Sequence, residues 1–134
     1  QETDQNGKLL PSSLSSNIVT TLLRQELNFD GLVVTDDLEM GAIVKNYGIG
    51  EASVLAILAG EDMVSICAGV DSIYEGHAAI TDAVNTGRIS EERIDESLKR
   101  IFAAKSKLHK PHSFDTNRLA VLSTDVEDFN NRLN

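Results

Sequence analysis

The sequence predicts an α/β chain built on parallel strands. Two short apolar runs, "LVV" at 32–34 and "DMVSICA" at 62–68, read as strands, and each stands between segments of helical periodicity. Alternation of this kind implies a parallel sheet with right-handed crossovers. Both runs are apolar on two faces, as strands are when covered on both sides within a larger parallel sheet. The order is helix, strand, helix, strand, helix, helix.

The elements follow in turn. "LLPSSLSSNIVTTLLRQELNFDG" predicts an amphipathic helix with Pro11 and the serines at its entry. Its apolar stripe is Leu14, Ile18, Val19, Leu22, Leu23 and Leu27. "NFDG" breaks this helix and leads into the strand at Leu32. "GAIVKNYGIG" is interrupted by Gly41, Gly48 and Gly50 and reads as a helical turn followed by a loop. "EASVLAILAG" is a second helix closed by Gly60 at its C′ position, and "DMVSICA" is the second strand. Asp71 is positioned to cap a third helix, "SIYEGHAAITDAVNTG", whose stripe is Ile73, His77, Ile80 and Val84 and whose end is Gly87. Ser90 caps a fourth, with Glu91 and Glu92 in the first turn, where the helix dipole favours acids. Ile89 and Ile94 have hydrophobic-staple spacing, and Ile94, Leu98, Ile101 and Phe102 form the predicted buried stripe. Pro111 stops this helix, and "NRLAVLS" reads as one more short element.

Composition narrows the functional classes. The chain has 134 residues, enough for one small domain but short of the about 250 residues of a complete (β/α)8 barrel. A hydrophobic content of 41% and a charged content of 25% describe a globular chain. The formal net charge of -9 disfavours nucleic acid and anionic membranes, which need a basic footprint. The one cysteine, Cys67, excludes an internal disulfide. No apolar run approaches the ~18 residues of a membrane span, and the polar start "QETDQNGK" does not read as a signal peptide. The compartment stays open, with the cytoplasm as the expectation.

The chemistry concentrates in "GLVVTDDLEM", where a buried strand ends on adjacent carboxylates. Side chains alternate along a strand, so Leu32, Val34 and Asp36 share one face, and Val33, Thr35 and Asp37 the other. A carboxylate that closes a buried strand is desolvated without a reason to be there, so it is either a helix cap or a catalytic acid. Asp37 reads as the cap of the "LEMGAI" turn, and Glu39 as solvent-facing or paired with a base. Met40 is a candidate contact to a ligand, its alternative being core packing. Asp36, Asp37 and Glu39 carry oxygens of the kind Mg²⁺ takes, but near-consecutive residues do not converge on one ion, and no metal is expected. His77 reads as a half-buried, hydrogen-bonded histidine on an apolar stripe. His109 and His112 form no more than a weak metal pair in a loop. Cys67 has no basic neighbour in sequence and reads as a small hydrophobe.

"LPSSLS", "LLRQELNFDGLVVTDDLEMGAI", "AGEDMV" and "GRISEERIDESLKRIFAAK", in this order and spacing, resemble the last part of the catalytic barrel of glycoside hydrolase family 3. The closest look is of its bacterial β-N-acetylhexosaminidase branch, over roughly residues 9–108. The resemblance implies that residues 1–134 are one C-terminal piece of a TIM (β/α)8 barrel: about two βα units, with parallel strands seven and eight, plus closing helices. Asp36 then matches the family's catalytic nucleophile, which forms a covalent glycosyl-enzyme that water hydrolyses with retention. The implied substrate is terminal β-linked N-acetylglucosamine on oligosaccharides or peptidoglycan fragments, with no cofactor and no metal. β-Glucosidase activity is the near alternative, and a non-catalytic α/β interaction module the distant one.

Retaining hydrolysis also needs a group to protonate the leaving oxygen. In this branch it is a histidine–aspartate pair on an earlier loop, within a "GHGDT"-like motif, and the lysine–histidine and arginine contacts to the sugar also lie upstream. No segment here matches them, so the chain by itself is expected to be catalytically silent. Its missing partner is the N-terminal part of the barrel. The strand edges that partner would cover predict self-association of the isolated chain.

Overall fold

The computed structural model describes residues 2, 3, 7, 9–108 and 115–133. His109, Pro111 and His112, on which the loop metal pair and the helix stop were read, lie outside them. In chain order come a 3-10 turn (Ser12–Leu14), a π-helix (Asn17–Glu26), β1 (Val34–Asp37), α1 (Gly41–Val44), α2 (Ile49–Ala59), β2 (Met63–Ser65), α3 (Val70–Asn85), α4 (Glu91–Ser106) and α5 (Thr116–Leu133). β1 and β2 pair in parallel, with α1 and α2 in the crossover between them. The chain is thus α/β, mostly helical with a small parallel sheet.

The first helix differs in its winding. It is π-wound, with the Leu27 amide bonded back to the Leu22 carbonyl at 2.9 Å, five residues away. A wider turn rotates successive side chains off a 3.6-residue stripe. Val19 is buried, whereas Ile18, Leu22 and Leu27 of the predicted stripe are exposed. α2 is the central helix, buried nearly all round through Ile49, Ala52, Ser53, Val54, Ala56, Ile57 and Ala59. It begins at Ile49, inside the segment read as loop. Gly60 ends it in the left-handed region at φ 117°, which a side chain would strain. A Cβ there would also meet Thr20 Oγ1 at 2.6 Å, where that hydroxyl donates to the Ala59 carbonyl. α3 approaches α2 closely because Gly76 has no side chain: a Cβ would lie 2.8 Å from Ser53 Oγ.

Caps divide into confirmed and corrected. Ser90 Oγ accepts the Arg93 amide at 3.2 Å, as its position predicts. Asp71 does not cap α3; the N-cap is Gly69, without a side-chain cap bond of its own, and Asp71 lies in the first turn. The expected short element near the C-terminus is the 18-residue α5, with no buried residue.

α4 turns polar residues inward beside half of its predicted apolar stripe: Ile94 and Ile101 are half-buried, Ile94 against Val54, Ile57, Ala83 and Ile89. Leu98 and Phe102 are exposed, while Arg93, Ser97 and Arg100 face the body. The reason is Asp62, whose side chain is fully buried at the start of β2. Its Oδ2 accepts Arg24 Nη2 at 2.7 Å and the Val33 amide at 3.0 Å. Its Oδ1 accepts the Ser97 hydroxyl and Arg100 Nη1, each at 3.1 Å, and lies 3.6 Å from Arg93 Nη2. Arg24 and Arg93 also donate to the Gly60 and Ile57 carbonyls at the C-terminal end of α2, where a helix favours cations. Burial pushes the Asp62 carboxyl up, but the Val33 amide and the arginines hold it below its ordinary value.

Glu61, next door, is the opposite case. It is 4% exposed, and its Oε2 has no hydrogen-bond partner among the described residues. Burial, with the neighbouring Asp62 charge, outweighs Arg24 and Arg93 and raises its carboxyl from 4.5 to about 7. Between those values the folded chain holds a proton that the unfolded chain has released. Its contribution to stability is therefore full below pH 4.5, falls as pH climbs to about 7, and levels off above. Glu61→Gln, neutral throughout, is expected to flatten that slope in urea unfolding from pH 4.5 to 8. An unchanged slope in the variant assigns the dependence to another group.

Candidate active site

Asp36 stands at the carboxyl-terminal end of β1, two residues after Val34 on the same face. That face is open, with Val34 47% exposed and Asp36 exposed, while Thr35 between them is buried. The alternation read from the sequence therefore holds through Asp36. The pairing is irregular here: Val34 pairs with Met63 and Asp37 with Ser65, so β1 carries an extra residue over this interval. Thr35 fills the gap, its Oγ1 accepting the Ser65 amide at 2.9 Å, and the Leu38 amide bonds the Ser65 carbonyl at 2.9 Å. Asp36 Oδ1 accepts the Asp37 amide at 2.8 Å, which orients the carboxylate against its own backbone.

Asp37 points the other way, as parity predicts. Its Oδ1 accepts the Glu39 amide at 3.0 Å, closing a turn within the loop, and the Cys67 amide of the next βα loop at 3.3 Å. The N-cap of α1 is Met40 rather than Asp37. Glu39 is neither free in solvent nor paired with a base. Its Oε2 accepts the Ala68 amide at 2.5 Å and the Gly69 amide at 3.4 Å. The Ala68 amide first, and then the Ser72 hydroxyl, lower its carboxyl below the ordinary value. Met40 is 50% exposed beside this loop.

The remaining candidates separate from this cluster. His77 is exposed, not half-buried, at the rim of an apolar depression of about 330 Å³ lined by Val64, Ile66, Ile73 and Ile80. Cys67 is exposed just past β2, its Sγ 3.3 Å from Ser65 Oγ, because the strand ends at Ser65 and the chain turns toward α3. Among the described residues, no three His, Cys, Asp or Glu side chains form a metal-ligand group. A cleft of about 350 Å³ lined by Asp30, Leu32, Lys99, Arg100 and Lys107 lies by the amino-terminal approach to β1, the end away from Asp36. The tie from Glu39 to residues 68 and 69 was not visible in the sequence. Its one local signal is that α3 begins on Gly69, which has no side chain with which to cap itself.

A carboxylate on the open face at the carboxyl-terminal end of a parallel strand, inside the "TDD" motif, can be compared with known families. The model of the glycosyl hydrolase family 3 N-terminal domain matches residues 1–104. The chain belongs to glycoside hydrolase family 3. A β-hexosaminidase A of Pseudoalteromonas piscicida is 31% identical over 104 residues, covering 73% of this chain and 17% of the relative. A β-N-acetylglucosaminidase/β-glucosidase of Cellulomonas fimi is 32% identical over 100 residues, covering 75% and 17%. The structure of a family 3 β-N-acetylglucosaminidase from Paenibacillus sp. FPU-7 superposes with a TM-score of 0.75 at 43% identity, over 81% of this chain and 21% of that one. The family 3 segment seen here therefore spans about a fifth of these relatives' lengths. Among its described residues no helix is long and apolar enough to cross a membrane.

Proposed function

We propose that residues 1–134 are the C-terminal piece of the catalytic barrel of a retaining family 3 β-N-acetylglucosaminidase, with Asp36 as its nucleophile. One observation carries this reading: Asp36 sits at the carboxyl-terminal end of a parallel strand on its open face, where (β/α)8 enzymes build their sites. β1 and β2 then correspond to barrel strands seven and eight. The carboxylate attacks the anomeric carbon as the bond to the leaving oxygen breaks, and water later cleaves the glycosyl ester, so the configuration is retained. Met40, half-exposed on the same loop, offers an apolar contact to the sugar. The acid/base and most sugar contacts come from residues outside this chain. These steps, as written, call for no metal or cofactor.

Relatives named for β-hexosaminidase and β-N-acetylglucosaminidase support terminal β-linked N-acetylglucosamine as the substrate class. The full-length protein is expected to hydrolyse an aryl β-N-acetylglucosaminide with retention, followed by the anomer first released in proton NMR. Hydrolysis of the aryl β-glucoside alone moves the sugar assignment to β-glucosidase, a name that also occurs among the relatives. An inert full-length protein favours the non-catalytic module.

The same reading concerns the isolated chain. Among the described residues β1 and β2 form a two-stranded sheet, so each has one edge without a described strand beside it. Val34 and Met63 on the sheet are 47% and 40% exposed, and the depression beside His77 is apolar. Open edges and apolar faces of this kind pair with another chain. The 134-residue chain is expected to self-associate at micromolar concentration in light scattering. A cooperatively unfolding monomer would show that these edges and faces are covered within the chain.

A further inference from the structure

Asp37 and Glu39 hold the next βα loop by its backbone. The consecutive amides of Cys67, Ala68 and Gly69 point to carboxylate oxygens from the last residue of β1 and the loop after it: Asp37 Oδ1 takes the first, Glu39 Oε2 the second and third. These amides lead into the N-terminus of α3, where unsatisfied donors and the helix dipole favour an anion. The helix has no side-chain cap bond of its own there, and Glu39 instead holds the amides of its N-cap, Gly69, and of Ala68 just before it. α3 is itself held against α2 by the close approach at Gly76 and Ser53. The Glu39 bond thus anchors the segment that carries Asp36 to a fixed helix.

We propose that Glu39 is a positioning residue for the reaction at Asp36: by binding the Ala68 and Gly69 amides it holds the β1–α1 loop at the one placement in which the Asp36 carboxylate is aimed at the anomeric carbon. This inference rests on the reading of Asp36 as nucleophile. Glu39 touches neither substrate nor reacting atoms in this role. Attack on carbon tolerates little misplacement, and a shift of about 1 Å costs on the order of 10²-fold in rate. Asp36 forms the ester bond in the glycosylation half-reaction and departs as carboxylate when water cleaves it, so the misplacement is read on glycosylation, which a burst reports separately.

The test uses the full-length enzyme and an aryl β-N-acetylglucosaminide with a good leaving group, with rates taken per site titrated by a slowly released fluoro-sugar. Glu39→Ala is expected to lower kcat by about 10- to 100-fold with KM changed less than about threefold, and to abolish any pre-steady-state burst of phenol. Glu39→Gln keeps a carbonyl oxygen for the amides and is expected to recover most of the rate. Gly69→Ala perturbs the same contact from the other side, since its methyl would lie 3.4 Å from Glu39 Oε1 and 3.1 Å from Ser72 Oγ; it is expected to slow the same step. An unchanged kcat per titrated site in Glu39→Ala overturns the proposal, as does a Gln variant no better than Ala. If Asp36→Asn abolishes activity while Glu39→Ala leaves it intact, only the positioning role falls. If Asp36→Asn stays active, the nucleophile reading falls and the positioning role with it.

Discussion

Asp36→Asn in the full-length enzyme is expected to lower kcat/KM by at least ~10³-fold, the order of a lost covalent nucleophile. The amide keeps the size of the side chain and a carbonyl oxygen to accept the Asp37 amide, so the loop keeps its shape. What it loses is the anion that bonds to the anomeric carbon. No glycosyl-enzyme should accumulate, and mass spectrometry of the variant quenched in turnover should show no adduct on the peptide containing Asp36. Asp37→Asn is the control. The Asp37 carboxylate is occupied by the Glu39 and Cys67 amides, and an asparagine carbonyl oxygen can accept both. Its cost should be at most ~10-fold, as expected for a loop held slightly less firmly. A larger loss at position 37 than at position 36 would reverse the assignment.

The second large effect is on stability. Asp62→Ala removes the carboxylate that neutralises Arg24, Arg93 and Arg100 and leaves those guanidinium groups facing one another at the start of β2. Breaking a buried ion pair by removing one partner costs about 3–5 kcal/mol. Among the described residues Arg93 and Arg100 keep ion pairs only with the solvent-exposed Glu96 and Asp30, at 3.8 and 3.6 Å, and Arg24 loses its carboxylate. Asp62→Asn should fall close to Ala, since it restores hydrogen bonds but not the charge. Urea unfolding at pH 7 would read the loss as a lower midpoint at unchanged slope. The cluster joins the π-helix, β1, β2 and α4 at the end of the strands away from Asp36, so the rate per folded site should hold. An unshifted midpoint in Asp62→Ala would mean that desolvation cancels the attraction and the cluster contributes specificity alone.

Asp62 also shows where sequence reading stops. Its bonds run to residues 29 to 38 positions away. Local periodicity says nothing about partners at that distance. An acid before an apolar strand and arginines seven residues apart on α4 are visible, but their meeting is not. The apolar stripe of α4 therefore placed Ile94 and Ile101 on the inward side but missed Arg93, Ser97 and Arg100 there. Glu39 is similar: a helix opening on Gly69 leaves its amides unserved, yet nothing in "DLEM" says which carboxylate will reach them.

Taken by itself, the sequence determined the alternation of strands and helices, the parallel pairing this implies, the stop at Gly60, the cap at Ser90 and the face on which Asp36 stands. All of these are short-range properties, set by side-chain period, by the missing Cβ of glycine and by a hydroxyl within reach of the third amide of its own helix. Only the tertiary structure decided the π-winding of the first helix, the exposure of His77 and Cys67, the arginine cluster on Asp62, the burial of Glu61 with its Oε2 unpartnered among the described residues, and the hold of Glu39 on the neighbouring loop. Those depend on which groups folding brings together across tens of residues, where burial makes each polar atom find a partner or shift its charge state.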